Sequence, residues 1–173
     1  MPEVFTVNVN PSRNRNFQIV EGKMKMNILD DLERYNDYEF IDPGIMTDAE
    51  LELELKETCP YNPEKGHVPE YKFAMVNTNT RAIIGGIRLR IGLTKTLNTY
   101  GGHIGYEVDK LYRGHRYATR SCRLLIPLIQ RLEIQPVVIT CTPENIPSTR
   151  TIESLGLNGW KSKMSRPNQE FFD

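Results

Sequence analysis

Four arginines crowd one short stretch of the chain. Arg113, Arg116, Arg120 and Arg123 lie in and just after Tyr106-Glu107-Val108-Asp109-Lys110-Leu111-Tyr112-Arg113-Gly114-His115-Arg116-Tyr117-Ala118-Thr119. The pattern reads as a strand, a basic loop with a glycine, and a helix. A helix N-terminus offers unpaired N–H groups and about half a positive charge, which suits a phosphate or pyrophosphate. Cations in the first turns oppose that dipole and are unfavourable unless an anion sits among them. Two readings stand side by side: an anion site, and a solvated basic face on an ordinary helix. Metal chemistry has less support. Cys59, Cys122 and Cys141 cannot all pair and form no CxxC, and His67, His103 and His115 are scattered. No metal is expected.

These residues need a scaffold, and a chain of 173 residues supplies one ordinary domain. It can bury roughly 70% of its unfolded surface without staples. Hydrophobic residues are 39% and charged residues 25%, which excludes a collagen, a disordered tail and a disulfide knot. Lys+Arg and Asp+Glu are both 22, so nucleic acid is not an expected partner. The longest apolar run, Leu124–Leu128, is interrupted by Pro127 and falls far short of the ~20 residues a bilayer requires. Met1-Pro2-Glu3-Val4 lacks the features of a signal peptide. The expectation is a cytoplasmic, reduced, single domain over 1–173.

Val4–Val9 alternates as a strand, 10–16 is a polar loop and Phe17–Val20 is a strand. Met26–Tyr35 has Ile28, Leu29 and Leu32 at helical spacing. Thr47-Asp48-Ala49-Glu50 is a capping box followed by Leu51 and Leu55 at i,i+4. The spacing predicts a helix there, although Leu51–Leu55 also alternates like a strand. Residues 58–70 hold three prolines and a glycine and form a loop. Tyr71–Val76, the turn Asn77–Thr80 and Arg81–Ile91 make a hairpin. A loop over 92–102 leads to the strand His103–Val108. From Ala118, the residues Ser121, Cys122, Leu125, Leu128, Ile129 and Leu132 form one helical stripe, which Pro127 should kink. Pro136–Cys141 reads as a buried strand, Ser148–Leu155 as a helix stopped by Gly156, and Trp160–Phe172 as one or two short strands. The fold class is α+β.

The stretch Arg113-Gly114-His115-Arg116-Tyr117-Ala118-Thr119 resembles the acetyl-coenzyme A loop of the GNAT superfamily of N-acetyltransferases, written Q/R-x-x-G-x-G/A. A second block, Asn145-Ile146-Pro147-Ser148 followed by Ile152-Glu153-Ser154-Leu155-Gly156-Leu157, resembles the family's N-x-x-(A/S)-x-x-x-(Y)-E-x-x-G pattern. The helix and strand between the blocks, and the hairpin before them with Ile83-Ile84-Gly85-Gly86, are also similar. Arg116 stands where the loop has its glycine, and Ile152 where many members carry a tyrosine that protonates the departing thiolate.

The resemblance implies a single domain with a mixed, mostly antiparallel sheet, splayed central strands and helices on both faces. Residues 70–160 would be the cofactor-binding core and 1–60 a variable acceptor-side part. Acetyl-coenzyme A would lie between His103–Asp109 and Val137–Cys141. Backbone groups near Val108 would pair with pantetheine. The amides of Arg113, Gly114, His115, Arg116, Tyr117, Ala118 and Thr119 would hold the pyrophosphate, and Asn145 would bond the pantetheine arm. Acetyl transfer to an amine calls for a base. Glu107 is the first candidate, and His103, on the same face by period two, the second. Ordinary readings accompany these. Glu107 could pair with Arg88 or Arg90, His115 could be solvated, and Cys141 could be a structural thiol. Tyr112 and Tyr117 could be packing residues and Trp160 core or rim. The expected partner is a small-molecule or peptide amine, without a membrane; a homodimer is left open. A non-catalytic acyl-coenzyme A binder of the same fold is the alternative, ahead of an RNA-associated protein.

Overall fold

A computed structural model describes residues 3–7, 35–92, 97, 101–134, 137–156 and 162–165. Phe17–Val20, Met26–Tyr35 except its last residue, most of the 92–102 loop and Trp160 fall outside the described residues.

A meander forms the larger sheet, and it opens with a departure from the sequence reading. The Thr47–Glu50 box does not start a helix. It makes a hairpin between β2 (Thr47–Asp48) and β3 (Leu51–Cys59), with Ala49 at φ 50 in the turn. The reason is tertiary. Strand β4 (Glu70–Asn77) lies beside β3 over its whole length, Leu51 opposite Asn77 and Cys59 opposite Glu70. Period two then buries Leu51 and Leu53. Glu52 and Glu54 take the other face, where both pair with Arg81. Leu55, which a helix would have buried with Leu51, is 42% exposed. Because β3 reaches Cys59 and β4 begins at Glu70, the proline-rich connection shrinks to 60–69. A 3-10 turn at Pro63–Lys65, capped by Asn62, orders it.

Asn77 closes the next turn by accepting the N–H groups of Asn79 and Thr80 on Oδ1 (3.0 and 3.1 Å). Strand β5 (Ile83–Arg90) follows, and β6 (Ile104–Val108) completes the antiparallel order β2-β3-β4-β5-β6. Along β5 the expected alternation holds, with Ile87 and Leu89 buried and Arg88 exposed.

The helical stripe is split into α1 (Tyr117–Leu124) and α2 (Ile126–Arg131), with the break at Leu125. Pro127 has no N–H for the Arg123 carbonyl, so the predicted irregularity falls here. Strand β7 (Val137–Cys141), helix α3 (Ile146–Gly156) and strand β8 (Ser162–Ser165) follow. Strand β1 (Glu3–Val7) sits between β7 and β8, antiparallel to both, in a separate sheet of order β7-β1-β8.

One core joins the two sheets. Leu51, Tyr71, Met75, Ile84, Leu89 and Ile104 meet Cys122, Leu125 and Ile129, and then Ile139, Ile152 and Leu155, all fully or almost fully buried. Each large aliphatic contributes roughly 1.5–3 kcal/mol of transfer free energy before entropy is counted. This is the expected α+β arrangement. Among the described residues no helix is long and apolar enough to cross a membrane.

Candidate active site

The functional geometry begins with the gap between β6 and β7. The Arg90 N–H donates to the His103 carbonyl and the Asp109 N–H to the Ile84 carbonyl. In an antiparallel ladder such pairs recur every second residue. The backbone groups of Gly105 and Glu107 therefore point at β5, and those of Tyr106 and Val108 point away from it, into the gap. Gly85 allows this close pairing, since a Cβ there would stand 2.1 Å from the Glu107 carbonyl oxygen.

His103 pins the closed end of the gap. Its N–H donates to the Val138 carbonyl (2.6 Å), and its Nδ1 accepts the Val138 N–H (2.9 Å). The ring proton is thereby on Nε2, 2.8 Å from the Gly92 carbonyl. Both nitrogens are engaged and the residue is fully buried. This corrects the second-choice base. His103 is outside the cleft and holds the two strands together where they start to diverge.

Burial, with the Arg90 charge adding to it, holds the His103 imidazole below its usual range. The neutral ring is the folded form. Its contribution to stability is present above pH 6.5 and is lost as pH falls from there through the depressed value. The melting temperature of the parent should drop between pH 7.5 and 5. His103→Gln should lack that component, and parallel slopes for the two proteins would contradict the pin.

Beyond His103 the strands open onto a cleft of about 1090 Å³ bounded by β6, α1 and α3. Among the described residues four arginines line it, Arg113, Arg116, Arg123 and Arg150, against one carboxylate, Glu107. At its mouth the loop after β6 is shaped by bonds between its own side chains and backbone. Asp109 Oδ1 accepts the Leu111 N–H (3.0 Å), starting a 3-10 turn. Arg113 Nε donates to the Val108 carbonyl (3.1 Å), so that acceptor is occupied by the chain itself. Gly114 has φ 90. Arg116 has φ 59 and ψ 22 and is the cap of α1. The arginine in the glycine position has taken the left-handed backbone that glycine normally serves.

The four sequence-predicted cations separate in space. Arg120 turns away from the cleft and pairs with Asp48 Oδ2 (2.6 Å) and Glu50 Oε1 (2.8 Å), over the ring of Tyr117. Hydrogen bonds from Arg120 pull the Glu50 carboxyl down to about 2. Arg120 thus ties the first turns of α1 to the β2–β3 turn. Arg123 donates to the Ser154 carbonyl on α3 (3.1 Å). Arg113 and Arg116 remain exposed at the mouth. Arg150, from α3, was not singled out from the sequence, because its place depends on how α3 packs against α1.

Ala118 and Thr119 line the cleft, and the Thr119 hydroxyl shares a 3.0 Å hydrogen bond with Ser154. Tyr117 is buried and Tyr112 lines the mouth. His115 is exposed and is not among the lining residues. Asn145 uses Oδ1 to cap α3, accepting the Ser148 N–H (3.2 Å), and its Nδ2 donors remain for a ligand. Cys141 is buried, 3.6 Å from the Thr149 hydroxyl. Burial pushes the Cys122 thiol up to about 12, so that sulfur is not placed as a nucleophile.

Tyr106 is the residue the sequence reading passed over. Alternation puts it on the face opposite Glu107, and that face is the one that meets α3. Its hydroxyl is 2.9 Å from the Ser148 hydroxyl. Burial raises its phenol far above the ordinary range, so it stays protonated at neutral pH. Ile152, one turn beyond Ser148, is fully buried in the core. Among the described residues no group of His, Cys, Asp or Glu could hold a metal ion.

Comparison with known proteins agrees with this geometry. The family described as an acetyltransferase (GNAT) domain matches residues 25–158. An uncharacterized N-acetyltransferase of Bacillus subtilis (strain 168), YnaD, is 23% identical over 141 residues, covering 80% of this chain and 76% of that protein. No solved structure matches the chain.

Proposed function

The chain belongs to the GNAT family of acetyltransferases, and from that premise we propose that it transfers an acetyl group from acetyl-coenzyme A to a primary amine by direct attack. The observation that carries the reading is the β6–β7 gap, which opens onto a cleft with four arginines and one carboxylate. A diphosphate needs that positive charge, and an extended amide-bearing arm needs the strand edge of Tyr106 and Val108. The cleft volume suits a ligand of that size. These residues fit the cosubstrate.

The amides of 113–119 and the guanidiniums of Arg113 and Arg150 hold the phosphates. The Tyr106 backbone, the Val108 N–H and Asn145 Nδ2 hold the pantetheine arm. When bound, acetyl-coenzyme A supplies an activated thioester. Glu107, exposed at the cleft, takes a proton from the acceptor's ammonium group through a water. Tyr106 gives its phenolic proton to the departing sulfur and regains one from solvent along Ser148. The C–N bond forms as the C–S bond breaks, and Glu107, having passed the first proton to solvent, takes the second one that the nitrogen releases. Tyr106, from β6, takes the role that Ile152 cannot, since its hydroxyl meets Ser148, one turn before Ile152 on α3. A hydroxyl so placed favours turnover over a non-catalytic binder.

Coenzyme A at ~100 times its dissociation constant should stabilise the fold by about 2.7 kcal/mol, a rise of roughly 5–10 °C in melting temperature. No shift at millimolar ligand would sink both the catalytic and the binding-only reading. Tyr106→Phe should lower kcat by about a hundredfold or less, at or below the low end for proton transfer, because a thiol near pKa 8.5 is already a fair leaving group. The loss should shrink with acetyl thioesters of more acidic thiols. A defect independent of the leaving group would remove Tyr106 from this role.

A further inference from the structure

A second cavity of about 220 Å³ lies at the β6–β7 gap, and Tyr106, Asn145 and Ser148 line both it and the main cleft. Two guanidiniums, those of Arg88 and Arg90, line it. They share one carboxylate. Arg90 Nε is 3.2 Å from Glu70 Oε1, and Arg90 Nη1 also donates to the carbonyls of Gly101 (2.7 Å) and Gly102 (3.0 Å). Arg90 is thus committed to holding β5 against the approach to β6. Arg88 Nη1 is 4.0 Å from the same Glu70 oxygen, and its side chain is 52% exposed.

Gly105 directs Arg88. The two residues are opposite in the β5–β6 ladder, and a Cβ at 105 would stand 3.3 Å from Arg88 Cγ and 3.4 Å from its Nε. With no side chain there, the arginine stem lies flat across β6, toward the gap. Glu107, which lines the main cleft, is the cross-strand diagonal neighbour on the same face, at a typical separation of roughly 7–8 Å.

We infer that Arg88 receives a carboxylate of the acceptor, so that the acceptor is an amine carrying a carboxylate close to the reactive nitrogen, a free amino acid or a similarly short derivative. This rests on the acetyl-transfer reading above. The ammonium group goes to Glu107 and the carboxylate to Arg88, each meeting the opposite charge. A polyamine would bring a second cation to a cavity that already has one guanidinium in excess.

The test is kcat/KM with acetyl-coenzyme A for L-amino acids, their carboxamides and diamines of matched length. The parent should favour amino acids over carboxamides by tenfold or more, the range of a charge-assisted hydrogen bond. Arg88→Gln should bring that ratio close to one through a rise in KM, and Arg88→Lys should keep part of it. Three results overturn the inference: no product from any amino acid, a parent that prefers carboxamides or diamines, or a ratio that survives Arg88→Gln. The coenzyme A melting shift of the parent, measured alongside, tests the cofactor assignment separately, so the two failures are distinguishable.

Discussion

Replacing Glu107 with glutamine is expected to lower turnover by 10²–10⁴, the usual cost of a lost general base, with acetyl-coenzyme A affinity held within about twofold. Direct attack requires a neutral amine. An amine of pKa about 10.4 is almost wholly protonated at pH 7, a cost near 4.6 kcal/mol, and an α-amine near 7.8 costs about 1. Among the described residues Glu107 is the one carboxylate lining the cleft. Its backbone is locked to β5 opposite Gly86, so glutamine should leave the strand in place. The defect should shrink as pH rises toward the amine's own pKa, because free amine then forms unaided. A residue that only positions substrate would hurt equally at every pH. Parental turnover by the variant at pH 7 would clear Glu107 and leave proton removal to water.

Gly114→Pro is expected to abolish coenzyme A binding with only a small change in melting temperature. Gly114 has φ 90 and nothing within 4 Å of where a Cβ would stand. Space is therefore no obstacle, and the conflict is with the backbone. Proline fixes φ near −65° and lacks the N–H, so the turn cannot keep its path and one amide is lost from the phosphate site. The loop is exposed, and the core behind it is untouched. Arg116→Gly is the matched control. At φ 59 the glycine relieves the Cβ but gains freedom in the unfolded chain, so stability should change little. Coenzyme A should bind at least as tightly. A tenfold loss, about 1.4 kcal/mol, would make the Arg116 side chain a phosphate ligand in its own right. Titration calorimetry with coenzyme A reads both variants, and saturable parental binding by Gly114→Pro would contradict the loop assignment.

Several features needed only local chemistry, and for these the amino-acid sequence was sufficient. The β4–β5 turn follows from Asn77, whose side chain bonds its own neighbours two and three residues on. The break between α1 and α2 follows from the N–H that Pro127 lacks. The buried alternation of Ile87 and Leu89 follows from period two, and the basic loop at a helix start from Arg113 to Thr119. Other features had their deciding partner far along the chain. Leu51–Leu55 satisfies helix and strand spacing alike, and β4 beside it chose the strand. His103 could have been a base until Val138 and Gly92 occupied its two nitrogens. Arg120 belonged with the other cations until Asp48 and Glu50 claimed it. Tyr106 gained its place from Ser148, 42 residues away. Hydrogen bonds within a turn or a helical period are written in adjacent residues. A charge or hydroxyl that many partners could satisfy is assigned only when packing brings one of them within about 3 Å.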